Sequence, residues 1–534
     1  SSSELYSDLG QSTAKIYDDL MERHWDYWDD GSYLHLFVAD MAGRVTGGTD
    51  IMEGEPWDAP LAPYFDASEI AWNHAGTQLA YTCKKLTGTQ YALSTDSDIY
   101  LYDVASGRTS NLTEGMPGYD KYPVFSPDDS MIAFTSMERP GNESDKDRLF
   151  VMSLADGSKR YLTEGFDYNA GNVRWADDST LLFLSPIRAT IQLCSVSLSG
   201  GPVRVITSGA HDLNAFSAAG GRVVAEMTTL GSPTELFDVN PSDGAMTRIT
   251  NTNAEIYEHI RMGKVEERWV ETTDGKRMLV WVVLPPDFDP SKKYPALLYC
   301  QGGPQSVVSQ FWSYRWNLQL MAAQGYVVVA PNRRGLPSFG QEWLDQISGD
   351  YSGQNIRDYL SAIDDVSAEP WVDRDRLGCV GASYGGYSVF FLAGNHQKRF
   401  KAFIAHCGMF NFESMYGATE ELWFPNNDLG GPYWSDSPVA RRSYANSPHK
   451  FVKNWDMPIL IFSGQRDFRI PYTESLQAFT AARLMGVPSR LVSFEDEAHQ
   501  VFKPQNSLVW NREFFSWLDR YVKNAETPAE QTGR

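Results

Sequence analysis

The sequence predicts two domains, an all-β domain of repeated four-stranded units followed by an α/β domain with a mostly parallel sheet. Three observations predict it. Glycine-closed strand pairs recur through the first half, short apolar strands alternate with helix-length segments in the second, and one serine stands between two glycines at a strand-to-helix turn. At 534 residues the chain is too long for one core. A change of period near residue 255 divides it into residues 1–255 and 256–534.

In the first half, residues 69–83, 121–137 and 171–186 each read as strand, polar turn, strand, and each is followed by a second such pair. The glycines that close the inner turns, Gly107, Gly157, Gly200 and Gly244, fall 43 to 50 residues apart, the period of four-stranded propeller blades. An upstream hairpin over Tyr33–Asp40 brings the count to about five units, few for a propeller, so its start is expected to be incomplete. Helical spacing over Ala14–Trp25 predicts a helix before it.

In the second half, Met278–Pro286, Tyr294–Cys300, Gly325–Pro331 and Lys401–His406 are short apolar strands, the later ones parted by helix-length segments, as a parallel sheet requires. Between them lies Leu377–Tyr387, where Gly381 and Gly385 flank Ser383 in a Gly-x-Ser-x-Gly pattern and an apolar helical run follows. This is a nucleophile elbow: the glycines let strand and helix approach while the turn pushes the hydroxyl outward. With the strands Pro458–Gly464 and Arg490–Phe494 the pattern is that of an α/β-hydrolase sheet.

A serine hydroxyl needs a histidine to take its proton and a carboxylate to orient that histidine, here in the order Ser, Asp, His. Asp467 follows one late strand and His499 the last, where parallel sheets place their chemistry. Asp496 and Glu497 are rival carboxylates, read as solvated loop charges. The oxyanion needs donors, expected from the backbone N–H of Tyr384 and from the Gln301-Gly302-Gly303-Pro304 loop.

A formal charge of −22 disfavours nucleic acid or an anionic membrane as partner. No run of eighteen apolar residues is present, hence no membrane span is expected, and no signal peptide is visible at the Ser1–Glu4 start, which is also how a mature or trimmed protein begins. Five scattered cysteines offer no Cys-x-x-Cys metal spacing and leave the compartment open. The chemistry calls for no cofactor and no metal.

A propeller followed by an α/β-hydrolase with Gly-x-Ser-Tyr-Gly-Gly-Tyr resembles the prolyl oligopeptidase family of serine peptidases over nearly the whole chain. Within it, Trp25–Asp30, Ser136–Arg139, Tyr416–Trp423 and Asp467–Tyr472 look most like the bacterial dipeptidyl peptidases of type V, with acylaminoacyl peptidases as the next relatives. The resemblance implies release of N-terminal dipeptides from oligopeptides, with small or hydrophobic residues before the cut; removal of blocked N-terminal residues is the alternative. It implies a first specificity pocket from Phe410, Met415 and Tyr416, joined by the Tyr384 ring, and a backbone contact from Asn446. It also implies a periplasmic or secreted bacterial protein, with cytoplasm as the alternative, and a homodimer. Relatives carry His or Tyr where this chain has Gln301, which favours the Gly303 backbone over a side chain. Stopping after two residues requires a carboxylate for the substrate's α-amine; Glu22, Glu138 and Glu143 are candidates. An esterase would use the same triad without needing a propeller, and an inactive scaffold would have lost a triad member.

Overall fold

The computed structural model describes residues 6–41 and 47–525, so the Ser1–Glu4 start lies outside the described residues. The chain gathers into two compact units. One holds Ser1–Phe183, Cys194–Arg204 and Glu420–Phe424; the other holds Leu184–Leu193, Val205–Thr419 and Pro425–Arg534.

The first unit contains two antiparallel four-stranded sheets, each with its strands in sequence order. One is Ile70–Trp72, Gln78–Cys83, Asp98–Asp103 and Arg108–Asn111; the next is Asp120–Phe125, Met131–Ser136, Arg148–Ser153 and Lys159–Tyr161. Alternation along the strands turns Ala80, Ile99, Phe125, Ile132, Phe134 and Met152 into one buried cluster. A further meander, Asp212–Ala219, Arg222–Thr229, Ser232–Val239 and Met246–Arg248, lies in the second unit.

The repeat has a hydrogen-bond reason. In each unit an apolar residue followed by threonine leaves the outermost strand, and the threonine hydroxyl accepts the backbone N–H of the strand beside it. The pairs are Ile99 to Thr113 at 3.0 Å, Leu149 to Thr163 at 3.0 Å, Leu193 to Thr207 at 2.9 Å and Leu236 to Thr250 at 2.9 Å. That satisfies a donor which the ladder would otherwise orphan as the outer strand departs. Gly107, Gly157, Gly200 and Gly244 all have φ between 66° and 88°, the left-handed turn conformation that favours glycine. The molecule is thus a β-propeller chain with a C-terminal α/β-hydrolase domain.

Two expectations at the start fail. No helix forms over Ala14–Trp25; instead Arg23–His24 pairs with Tyr27–Trp28, and Ile16 and Leu20 stay 43% and 38% exposed. A lone segment of that length has no helical stability unless its apolar stripe is buried, and here it is not. Nor does Tyr33–Asp40 close on itself as a hairpin: Phe37–Val38 pairs with Thr49–Asp50, and Met52 of that second arm enters the core beside Leu79 and Tyr81.

The catalytic-type sheet has eight strands: β1 (Val265–Glu271), β2 (Arg277–Val283), β3 (Tyr294–Cys300), β4 (Val327–Pro331), β5 (Val372–Ala382), β6 (Ala402–His406), β7 (Ile459–Gly464) and β8 (Ser489–Phe494). Their order is β1-β2-β4-β3-β5-β6-β7-β8, antiparallel at β1/β2 and β2/β4 and parallel from there on. The inner strands are buried along their length, as a sheet covered on both faces demands. Leu297, Val328, Val380, Ile404, Leu460 and Phe514 belong to the core that fixes it.

Candidate active site

β5 ends at Ala382 and a helix begins at Tyr384, leaving Ser383 alone at the turn with φ 58° and ψ −120°. A non-glycine residue there is strained by about 1–3 kcal/mol and holds only because its surroundings fix it. They do so closely. The Ser383 N–H donates to His406 O at 2.9 Å. A Cβ on Gly385 would sit 2.0 Å from Cys300 O, and one on Gly381 would sit 2.6 Å from Gly385 O. Both flanking glycines are therefore required by close approach, with the helix pressed against the ends of β3 and β5.

Ser383 Oγ lies 3.0 Å from His499 Nε2, and His499 Nδ1 lies 2.7 Å from Asp467 Oδ2. The serine can donate its proton to Nε2 while the Nδ1–H donates to the carboxylate, which fixes the tautomer. Asp467 follows β7 in a turn where its other oxygen accepts the Ile470 N–H at 2.9 Å, and only 2% of it is exposed. Burial pushes the imidazole toward neutrality, but the Asp467 carboxylate facing it and the Cys407 sulfur beside it together outweigh this and hold its pKa above the usual histidine value.

Of the rival acids, Asp496 pairs with Lys503 at the surface, as read from the sequence. Glu497 differs: it is 4% exposed and accepts the Phe502 and Lys503 N–H groups at 3.2 and 3.0 Å. A carboxylate that ties down the entry to a helix is satisfied there and need not be solvated. It thereby shapes the loop that carries His499.

Tyr384 is the first residue of its helix, so its N–H has no place in the helical ladder and stands next to the nucleophile. Its ring is buried: the hydroxyl donates to Asn355 Oδ1 at 2.7 Å, and the Arg333 guanidinium lies 4.6 Å from the ring centre. The Gln301–Pro304 loop passes directly by, since a Cβ on Gly302 would meet Ser383 Cβ at 3.5 Å. Gly303 has φ 117°, again a glycine conformation. Fully buried Arg333 donates to Pro304 O at 2.9 Å and to Gln301 O at 3.3 Å, and Gln305 Nε2 donates to Asp428 Oδ2 at 3.0 Å. These bonds hold the loop from behind, and nothing in the sequence alone pointed to Arg333.

The remaining residues expected in the site are engaged in contacts of their own. Phe410 is buried against Phe390 and Trp455, with its N–H held by Glu474 Oε2 at 2.9 Å. Met415 is fully buried. The Tyr416 hydroxyl donates to Asn426 Oδ1 at 3.0 Å and its ring meets Trp434 edge-on. Asn446 ends a helix, where its amide donates to Arg442 O at 2.9 Å.

Among the acids named for an amine, Glu22 pairs with neighbouring Arg23, Glu138 is exposed beside Arg148, and Glu143 accepts from Trp423 Nε1 at 3.0 Å. Sequence reasoning passed over Glu420 and Glu421. In the first unit both are buried, with oxygens 3.8 and 3.9 Å from His24 Nε2, a composition suited to holding a cation. Adjacent carboxylates beside an aromatic residue, in Thr419-Glu-Glu-Leu-Trp423, were the available signal. It also passed over Cys407, whose Sγ lies 3.9 Å from His499 Nε2.

The sequence model of the Prolyl oligopeptidase family matches residues 312–525. The chain is 53% identical over 523 residues to Dipeptidyl-peptidase 5 of Porphyromonas gingivalis, across 97% of this chain and 76% of that protein. It is 48% identical over 519 residues to Dipeptidyl-peptidase 5 of Porphyromonas endodontalis, across 97% and 75%. Among solved structures it is similar to Pyrococcus horikoshii acylaminoacyl peptidase, with TM-score 0.80 and 22% identity over 96% of this chain and 78% of that one.

Proposed function

Because the chain belongs to the prolyl oligopeptidase family of serine peptidases, we propose that it releases N-terminal dipeptides from oligopeptides, favouring a small or hydrophobic residue before the cut. It is a serine peptidase, and relatives at 53% and 48% identity are dipeptidyl-peptidases. The likeness to an acylaminoacyl peptidase, at 22% identity, speaks for the fold alone.

The observation that carries the reading is the hydrogen-bonded chain from Ser383 through His499 to Asp467. Ser383 Oγ attacks the carbonyl carbon after the second residue as its proton passes to His499 Nε2. The imidazolium, held by Asp467, returns that proton to the leaving amine, and water repeats the cycle on the acyl-enzyme. The backbone N–H groups of Tyr384 and Gly303 hold the oxyanion. Phe410, Met415 and Tyr416 form the pocket for the residue before the cut, and Asn446 holds substrate backbone through its carbonyl oxygen, its amide being engaged by the helix end.

The division of labour is a propeller over residues 1–255 and a catalytic domain over 256–534, supported by the change from glycine-closed meanders to the sheet that begins at Val265. No helix of the described residues is long and apolar enough to cross a membrane. We place the protein in the periplasm or outside the cell, as a homodimer; cell fractionation and sedimentation test these.

Two measurements decide the reaction. A fluorophosphonate should label the parent and not Ser383→Ala, whose kcat falls on the order of 10⁴-fold or more. Free-amine dipeptide chromogens should be cleaved with higher kcat/KM than acetyl-amino-acid or simple ester chromogens. Faster cleavage of the blocked substrate would overturn the reading in favour of acylaminoacyl chemistry.

A further inference from the structure

A small cavity in the second unit is lined by Arg315, Trp316, His406, Val501, Ser507 and Trp510, with room for about one water-sized sphere. Its aromatic wall is fixed by packing. The Trp510 ring lies against Phe462, Phe514 and Trp316, with ring centres 5.1, 4.8 and 5.0 Å away. Its polar groups are nonetheless unengaged. The Trp510 indole N–H belongs to a side chain 5% exposed and has no hydrogen-bond partner among the described residues. The same holds for both ring nitrogens of His406, which is 3% exposed and has its ring centre 6.2 Å from that of Trp510.

Arg315 brings a charge to this wall. Its guanidinium lies 5.5 Å from the Phe502 ring centre. Burial pulls its pKa below the ordinary arginine value, and the groups that favour its charge are Cys407 and Tyr299, with no carboxylate among them.

We propose that this cavity binds one monovalent anion of the halide class, chloride in the first place, between the Arg315 guanidinium and the N–H groups of Trp510 and His406. An indole nitrogen and a guanidinium can only donate, so the occupant must accept. Water accepts too, but it leaves the arginine charge uncompensated in a partly desolvated place, and an anion does not. The room is too small for sulfate or phosphate. Burial, with the charges of His499 and Arg315 adding to it, pushes the His406 pKa down to about 3. Its ring is therefore neutral and offers one N–H, while Ser507, three residues before Trp510 on the same helix, adds a hydroxyl. Occupation also reaches the loop of the catalytic base: Val501 lines the cavity two residues after His499, and Phe502 carries the Arg315 guanidinium on its ring. An anion bound only by the folded protein raises its stability by mass action.

The test uses sodium chloride with the full chain and needs no peptide. Thermal unfolding is followed as chloride replaces gluconate, an anion too large for the cavity, at constant ionic strength. Chloride at about ten times its dissociation constant should raise the midpoint of the parent by about 2–4 °C, with saturation. Trp510→Phe, which keeps a ring and removes the N–H, and Arg315→Met, which keeps the chain length and removes the charge, should each lose more than half of that shift. Equal midpoints of the parent in the two salts overturn the site, and so does a shift that either variant keeps by half or more. Should the variants fold poorly, crystals of the parent soaked in sodium bromide give an independent readout. An anomalous peak among Arg315, His406 and Trp510 is expected, and its absence overturns the site as well. None of these outcomes depends on which peptide the enzyme prefers.

Discussion

His499 sets the pH dependence expected of the enzyme. Only its neutral form can accept the serine proton, and the Asp467 carboxylate favours the protonated form against the effect of burial. The ascending limb of kcat/KM against pH should therefore lie above about 6.5, the ordinary histidine value. Asp467→Asn removes the largest of the influences that raise the imidazole pKa against burial, so the limb should move down. The same change releases the Nδ1 tautomer and should lower kcat about 10⁴-fold. A profile that stays in place in Asp467→Asn would show that another group sets the limb.

At the scale of elements, the oxyanion loop depends on a residue that never touches substrate. Arg333 reaches the carbonyls of Gln301 and Pro304 and the Tyr359 hydroxyl while lying over Tyr384, so one planar guanidinium joins the loop to the elbow helix. Lysine keeps the charge but cannot hold that fork of bonds. Arg333→Lys should lower kcat about 10- to 100-fold, because donors to the oxyanion act only when aimed. KM should change less than about threefold. An equal loss in kcat and in folded protein, seen by circular dichroism, would reduce Arg333 to a scaffold residue. The repeated Thr hydroxyl bonds are the counterpart in the propeller strands, where one small side chain per repeat keeps a strand end satisfied.

The molecule as a whole carries −22 charges, enough to bias which substrates approach. At low salt a peptide chromogen extended by lysines beyond the cut should show a higher kcat/KM than its glutamate counterpart. The ratio should shrink as salt shortens the screening length to about 10 Å at 0.1 M. A ratio independent of salt would confine the effect to local contacts. Each of the two compact units keeps its own buried apolar clusters, one packed between the blade sheets and one centred on the parallel sheet.

Features with a local signal were legible in the order of residues: the elbow around Ser383, the strands of the parallel sheet, the turn glycines 43 to 50 residues apart, and the succession Ser, Asp, His. Each rests on a backbone constraint or a hydrophobic period that neighbouring residues reveal. It misjudged Ala14–Trp25, where helical spacing was present but no surface covered Ile16 and Leu20, and Glu497, which burial and two backbone donors convert from a solvated charge into a loop anchor. Folding settled what depends on long-range approach. It gathered Arg333 behind the oxyanion loop, Glu420 and Glu421 beside His24, and Cys407 against the imidazole, because residues far apart in the chain meet through packing that no local pattern encodes.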